Sequence, residues 1–357
     1  MNRPALLRTG ALLAFSLLSL QSAVAGTGSP PAPLAPSAVC APLRTDAWIG
    51  ASRSQAVSIG RQPLTPELQA AVPGGTALND SRPFVGTLFW PDSSSPLPAP
   101  WPAVILLHGS GGTQCDLFTD ARALASRGYV TLTLTQPDNR SGSSEASGVQ
   151  ALRSALAFLG SAANPVQAQT RQGDVALIGH SEGAGVVSLA QGLPGFGGVK
   201  AVVALDNLRR WLVGDPGAAV RSCARRPAYE VTPRVPALGF AKDAPCTETG
   251  DLGADVKLGA WTFWRSRGVP AVELVPAGYA HLTFTDRAAS GAQLEMQVNL
   301  ISAWLGRWLR QDQEALAGLG CLPSDFLSTQ FRSALFLPGQ PAETDLRAAQ
   351  TAQTGCR

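Results

Sequence analysis

Short apolar runs recur along the chain, each stopped by a turn rich in glycine, proline or small polar residues. Phe84–Trp90, closed by Pro91, reads as the first clear strand. Ala103–Leu107 is continuously apolar, as suits a strand buried on both faces. Tyr129–Thr135, Val175–Ile178, Val199–Leu205, Ala237–Ala241 and Ala271–Val275 follow, several of them rich in β-branched residues. Between them the period changes. Leu117, Ala121 and Leu124 share a helical face, as do Val149, Leu152, Leu156 and Leu159. Ala184–Ala190 and 254–267 are helical, and Leu294, Val298, Ile301, Leu305 and Leu309 stripe a long final helix. Residues 41–73 hold a strand and a short helix in an ambiguous pattern. Asn207–Arg234, with several arginines, three prolines and Cys223, forms a small excursion after the strand ending at Asp206.

Strands alternating with helices predict an α/β chain with a mostly parallel central sheet and helices on both faces. Ligands bind such sheets at the carboxyl ends of the strands. The loops following the strands here carry His108, Ser181, Asp206, Asp243 and His281, so the topology gathers them on one edge.

Composition narrows the picture. The chain has 357 residues, 45% of them hydrophobic and 15% charged, enough for a sizeable core. The net charge of +3 comes with no basic run, which argues against nucleic acid as a partner. Arg3 and Arg8, the apolar run Ala11–Leu20 and Ala23-Val24-Ala25 make residues 1–25 a signal peptide, cleaved after Ala25. The mature chain is then expected to be secreted or periplasmic, with no membrane span. The remaining organisation is an N-terminal extension over 26–82, the main domain over 83–312 and a C-terminal tail over 313–357. Six cysteines in an exported chain argue for disulfides. None has C-x-x-C spacing and there are three histidines, so a zinc site is not expected.

The chemistry centres on Gly179-His180-Ser181-Glu182-Gly183, between a strand and a buried helix. G-x-S-x-G in that setting is a nucleophile elbow. A serine hydroxyl needs an adjacent base. His180 points away from its neighbour and packs beside the strand, and His108 serves the backbone of its glycine loop. His281 therefore remains as the base. Asp243, following the strand next to the one that leads to His281, is expected to orient it. Asp206 is the reserve, with Arg209 and Arg210 nearby as structural ion-pair partners. Asp251 and Asp255 lie further into the loop. In Gly109-Ser110-Gly111-Gly112 the backbone comes close enough to donate to a carbonyl oxygen. The N–H groups of Ser110 and Glu182 are the expected oxyanion hole.

The elbow, the His108-Gly109-Ser110-Gly111-Gly112 segment and the order Ser181, Asp243, His281 resemble the α/β-hydrolase superfamily. The resemblance covers about 83–309 and points to its dienelactone-hydrolase-like branch, with serine in place of that enzyme's cysteine. It implies the α/β-hydrolase fold and a serine hydrolase that cleaves a small-molecule carboxylic ester or lactone through an acyl-enzyme, without a cofactor. A serine peptidase acting on short peptides uses the same machinery. A non-catalytic exported binding protein on this fold is the reading from another class. For the disulfides, Cys223 is expected to join Cys246 and pin the acid loop; Cys321–Cys356 with Cys40–Cys115 is one of the pairings that sequence leaves open for the other four.

Overall fold

The computed structural model describes residues 40, 46–72, 82–95, 97–136, 145–206, 208–209, 211–212, 229–246, 253–317, 319, 322–323, 325–339 and 343–348. Residues 1–25, expected to be a signal peptide, and Cys223, Cys321 and Cys356 lie outside the described residues. Ten strands form one sheet. In chain order they are β1 (Ser52–Ile59), β2 (Phe84–Pro91), β3 (Trp101–Leu107), β4 (Val130–Thr135), β5 (Thr170–His180), β6 (Val199–Leu205), β9 (Ala237–Phe240), β10 (Ala271–Leu274), β11 (Ala334–Phe336) and β12 (Thr344–Asp345). A two-residue pair, β7 (Trp211–Leu212) and β8 (Tyr229–Glu230), lies in the excursion after Asp206.

The strand order is β1-β2-β4-β3-β5-β6-β9-β10-β11-β12. The six central strands from β4 to β10 run parallel, and antiparallel strands close both edges. The fold is therefore α/β with a mostly parallel sheet. Every residue of β3 is buried, as its unbroken apolar run requires.

The helices are α1 (Pro66–Ala71), α2 (Phe118–Ser126), α3 (Glu145–Leu159), α4 (Glu182–Ala190), α5 (Ala254–Ser266) and α6 (Gly291–Leu309). On one face of the sheet Leu68 of α1, Leu152 of α3, Val187 of α4 and Trp264 of α5 share a core. On the other face Leu124 of α2 and Ile301 and Trp304 of α6 build a second core. α6 starts sharply because Ser290 and Gln293 cap one another, each side chain bonding the other's backbone N–H. No helix among the described residues is long and apolar enough to cross a membrane.

Both flanks of the main domain join this sheet. The 26–82 extension supplies β1, which pairs with β2 over eight residues, and the short helix α1. Cys40 is bridged to Cys115, tying the extension to the turn before α2. The segment after residue 312, expected as a tail, supplies β11 and β12 and buries Leu322, Leu327 and Leu346. The sequence pattern weakens there because strands of three and two residues leave no period to read.

Candidate active site

The elbow is built by close approach. Ser181 takes a positive φ of 54°, in the region side chains avoid, between β5 and α4. A Cβ at Gly179 would run into the backbone of Gly183, and one at Gly183 would run into the carbonyl oxygens of Leu107 and His108. Only glycine fits at either place. The Ser181 N–H bonds the Leu205 carbonyl at 3.0 Å, which laces the elbow to the end of β6.

The glycine loop lies against this turn. A Cβ on Gly109 would sit 2.8 Å from the Ser181 Cβ and 3.0 Å from His180 Nδ1. Ser110 bonds the Glu182 carboxylate through its hydroxyl, so both expected oxyanion residues meet at one place. Arg287 holds the loop from outside, donating to the Gly111 carbonyl and to Asp116 Oδ1, both at 2.9 Å.

His108 has the structural role expected of it. Its Nδ1 donates to the Gly109 carbonyl at 2.7 Å, and its Nε2 accepts the Gln136 N–H at 3.1 Å. These two bonds fix one tautomer, and burial holds its pKa below the usual histidine range.

His180 is buried as well, with its pKa pushed down to about 3, first by burial and then by the neighbouring His281. It does more than pack. Its Nε2 donates to the His281 carbonyl at 2.9 Å, and the two rings lie 4.7 Å apart. The residue beside the serine thus holds the backbone of the expected base. Nothing in the pentapeptide announces this, because the contact spans about 100 positions.

The acid is where the structure corrects the sequence reading. His281 Nδ1 bonds Asp206 Oδ2, not Asp243. Asp206 follows β6 with a φ of 54°, and its carboxylate is completely buried. Its other oxygen accepts the Lys242 N–H at 2.8 Å and meets the Lys257 ammonium. It forms a buried ion pair with Lys257 on α5, a partner the sequence reading did not name; Arg210, which it did name, lies outside the described residues.

Asp243 is occupied elsewhere. Its Oδ2 accepts the Gly278 N–H at 2.9 Å, its Oδ1 accepts the Ser328 hydroxyl, and its N–H bonds the Tyr279 carbonyl at 2.8 Å. It clips its loop to the loop that carries His281. Strand position nominated both acids equally, and the direction each side chain takes on leaving its strand separates them.

Asp251 lies outside the described residues, and so does the side chain of Asp255. Among the described residues no group of three His, Cys, Asp or Glu side chains is placed to hold a metal ion. Cys246 is disulfide-bonded, but the proposed partner Cys223 lies outside the described residues. The chain matches no family model, and no curated protein matches it.

Proposed function

We propose that the chain is a serine hydrolase of the α/β-hydrolase kind, cleaving a carboxylic ester or lactone through an acyl-enzyme. The observation that carries this reading is the bond of His281 to the buried Asp206 carboxylate, with the His281 backbone held by His180, the residue next to a serine at positive φ on a glycine-walled elbow. A carboxylate on Nδ1 leaves Nε2 of the imidazole as the basic nitrogen. His281 takes the Ser181 proton as the hydroxyl oxygen attacks the substrate carbonyl carbon. Asp206 stabilises the imidazolium that forms. The oxyanion is received by the backbone N–H groups of Ser110 and Glu182, donors that contribute about 3 kcal/mol each in such sites. His281 then returns the proton to the leaving oxygen. It next activates the water that releases the acid and frees Ser181. The dienelactone-hydrolase-like branch, with serine as nucleophile, is the reading of the family. Export fits it: no cysteine among the described residues is free, as an oxidising compartment allows.

The test is labelling by a fluorophosphonate probe, followed by peptide mapping and hydrolysis of p-nitrophenyl esters of rising acyl length. The label is expected on Ser181. Ser181→Ala is expected to lose it and to lower turnover by about 10⁴ to 10⁶ while staying folded. Substantial ester hydrolysis by that variant would sink the assignment.

A further inference from the structure

Lys257 stands in the first turns of α5 with a side chain only 1% exposed. A lysine that deep persists only where its charge is met. Two carboxylates face it. Asp206, from the end of β6, meets the ammonium with Oδ1. Glu273, on β10, is completely buried, and among the described residues neither of its oxygens has a hydrogen-bond partner. Gly239 on β9 makes room for Glu273, since a Cβ there would collide with Oε2. His180 feels the same ammonium from the elbow, and His281 is reached through Asp206. Burial works against both charges, lowering the pKa of Lys257 and raising that of Glu273, while each group opposes the other's shift and favours its charged form. The two groups are therefore electrically coupled.

The division of labour on Asp206 follows from the contacts. Oδ1 takes the ammonium and the Lys242 N–H, and Oδ2 takes His281. A carboxylate with one oxygen held by two donors cannot swing its other oxygen off the imidazole. We propose that Lys257 is a positioning residue of the hydrolytic centre: it pins Asp206 through Oδ1 so that Oδ2 stays on His281, and Glu273 is the buried counter-charge that keeps the ammonium in place. The proposal rests on the serine-hydrolase reading above. No bond to Lys257 is made or broken in the reaction.

The experiment compares the parent with Lys257→Met and with Lys257→Met/Glu273→Met. The single variant leaves Glu273 buried without its partner and is expected to lose thermal stability. The double variant replaces the whole pair by apolar groups and is expected to recover most of that stability. Its kcat is nevertheless expected to stay about 10- to 100-fold below the parent's, with KM within about threefold. A folded double variant with the parent's kcat overturns the proposal.

If the double variant does not fold, the parent labelled with ¹⁵N-lysine decides. One slowly exchanging lysine ammonium signal at pH 6 supports a buried, hydrogen-bonded Lys257, and its absence overturns the proposal. Fluorophosphonate labelling of the parent keeps the two readings apart. No label on Ser181 rejects the hydrolase assignment itself. A labelled parent beside an unaltered double variant rejects the role of Lys257 alone.

Discussion

Asp206→Asn and Asp243→Asn discriminate between the two acids. Asp206 receives three bonds, from Lys242 N–H, the Lys257 ammonium and His281. An asparagine there has one oxygen and one NH₂. If the oxygen stays with Lys257, the NH₂ faces Nδ1 and stabilises the wrong imidazole tautomer, which costs about 10⁴ in turnover in triads of this type. If the amide turns over, the NH₂ faces an ammonium and repels it. Removing one partner of a buried ion pair costs about 3–5 kcal/mol. Because the amide oxygen still accepts in the first orientation, roughly 1–3 kcal/mol is expected, or several degrees in Tm for a domain of this size. The protein should remain folded at 25 °C, so the activity loss reports chemistry.

Asp243→Asn weakens two loop bonds, to Gly278 and Ser328, and touches no imidazole. Its turnover is expected within about tenfold of the parent's. The assay is p-nitrophenyl ester hydrolysis on variants checked by circular dichroism. The reasoning is refuted if both fold and Asp243→Asn proves the more damaging, or if neither falls by more than tenfold.

Two further outcomes follow from the elbow. Gly109→Ala places a methyl 2.8 Å from the Ser181 Cβ and is expected to lower kcat/KM by about 100-fold; near-parental rates would show that the loop can yield. The depressed pKa of His180 means that the unfolded chain binds its proton below about pH 6.5, whereas the folded chain does so only near pH 3. The stability this group contributes is therefore full above pH 6.5 and falls as the solution is acidified. His180→Phe should flatten the fall of Tm between pH 6.5 and 4, and it should lower kcat about tenfold by releasing the His281 carbonyl. A variant whose Tm falls as steeply as the parent's would count against the buried neutral imidazole.

The central strands and α2 to α6 were legible because each is a local pattern: β3 is apolar throughout, and α6 repeats its apolar stripe for five turns between its caps. The elbow was legible because two glycines, a serine and their flanks lie within a few residues. What the sequence hid depends on long-range direction. Asp206 and Asp243 both follow strands, and only the turn taken after β6, at φ 54°, aims one of them at His281. Lys257 looks like any lysine on an amphipathic helix, and its burial depends on two carboxylates contributed by other strands. The excursion and the arginines near Asp206 drew attention to an ion pair, and the pair that forms uses a lysine 51 positions away.

The residues after 312 are the strongest case of function hidden in a weak pattern. Leu319, Leu322 and Leu327 are buried against the core shared by α2 and α6. β11 pairs with β10 along Ala271–Glu273. Beyond that pairing, Ser328 N–H bonds the Val275 carbonyl at 2.7 Å, Ser333 Oγ accepts the Val275 N–H at 2.9 Å, and Ala277 N–H bonds the Phe326 carbonyl at 2.7 Å. These bonds hold Val275 and Ala277 in the three residues between β10 and Gly278, and from there the chain runs to His281. Ending the protein at Asp312 would strip β10 of its outer neighbour β11 and remove three buried leucines, uncovering the core they pack against. At about 1.5–3 kcal/mol each, their loss approaches the whole net stability of an ordinary domain. That truncated chain is expected to be insoluble or unfolded by circular dichroism. Ser328→Ala is the milder probe. It leaves β11 in place but removes the hydroxyl from Asp243, and it should lower Tm by a few degrees and turnover by less than tenfold. A chain ending at Asp312 that folds and hydrolyses esters at the parental rate would show that β10 and the histidine loop hold their geometry without the tail.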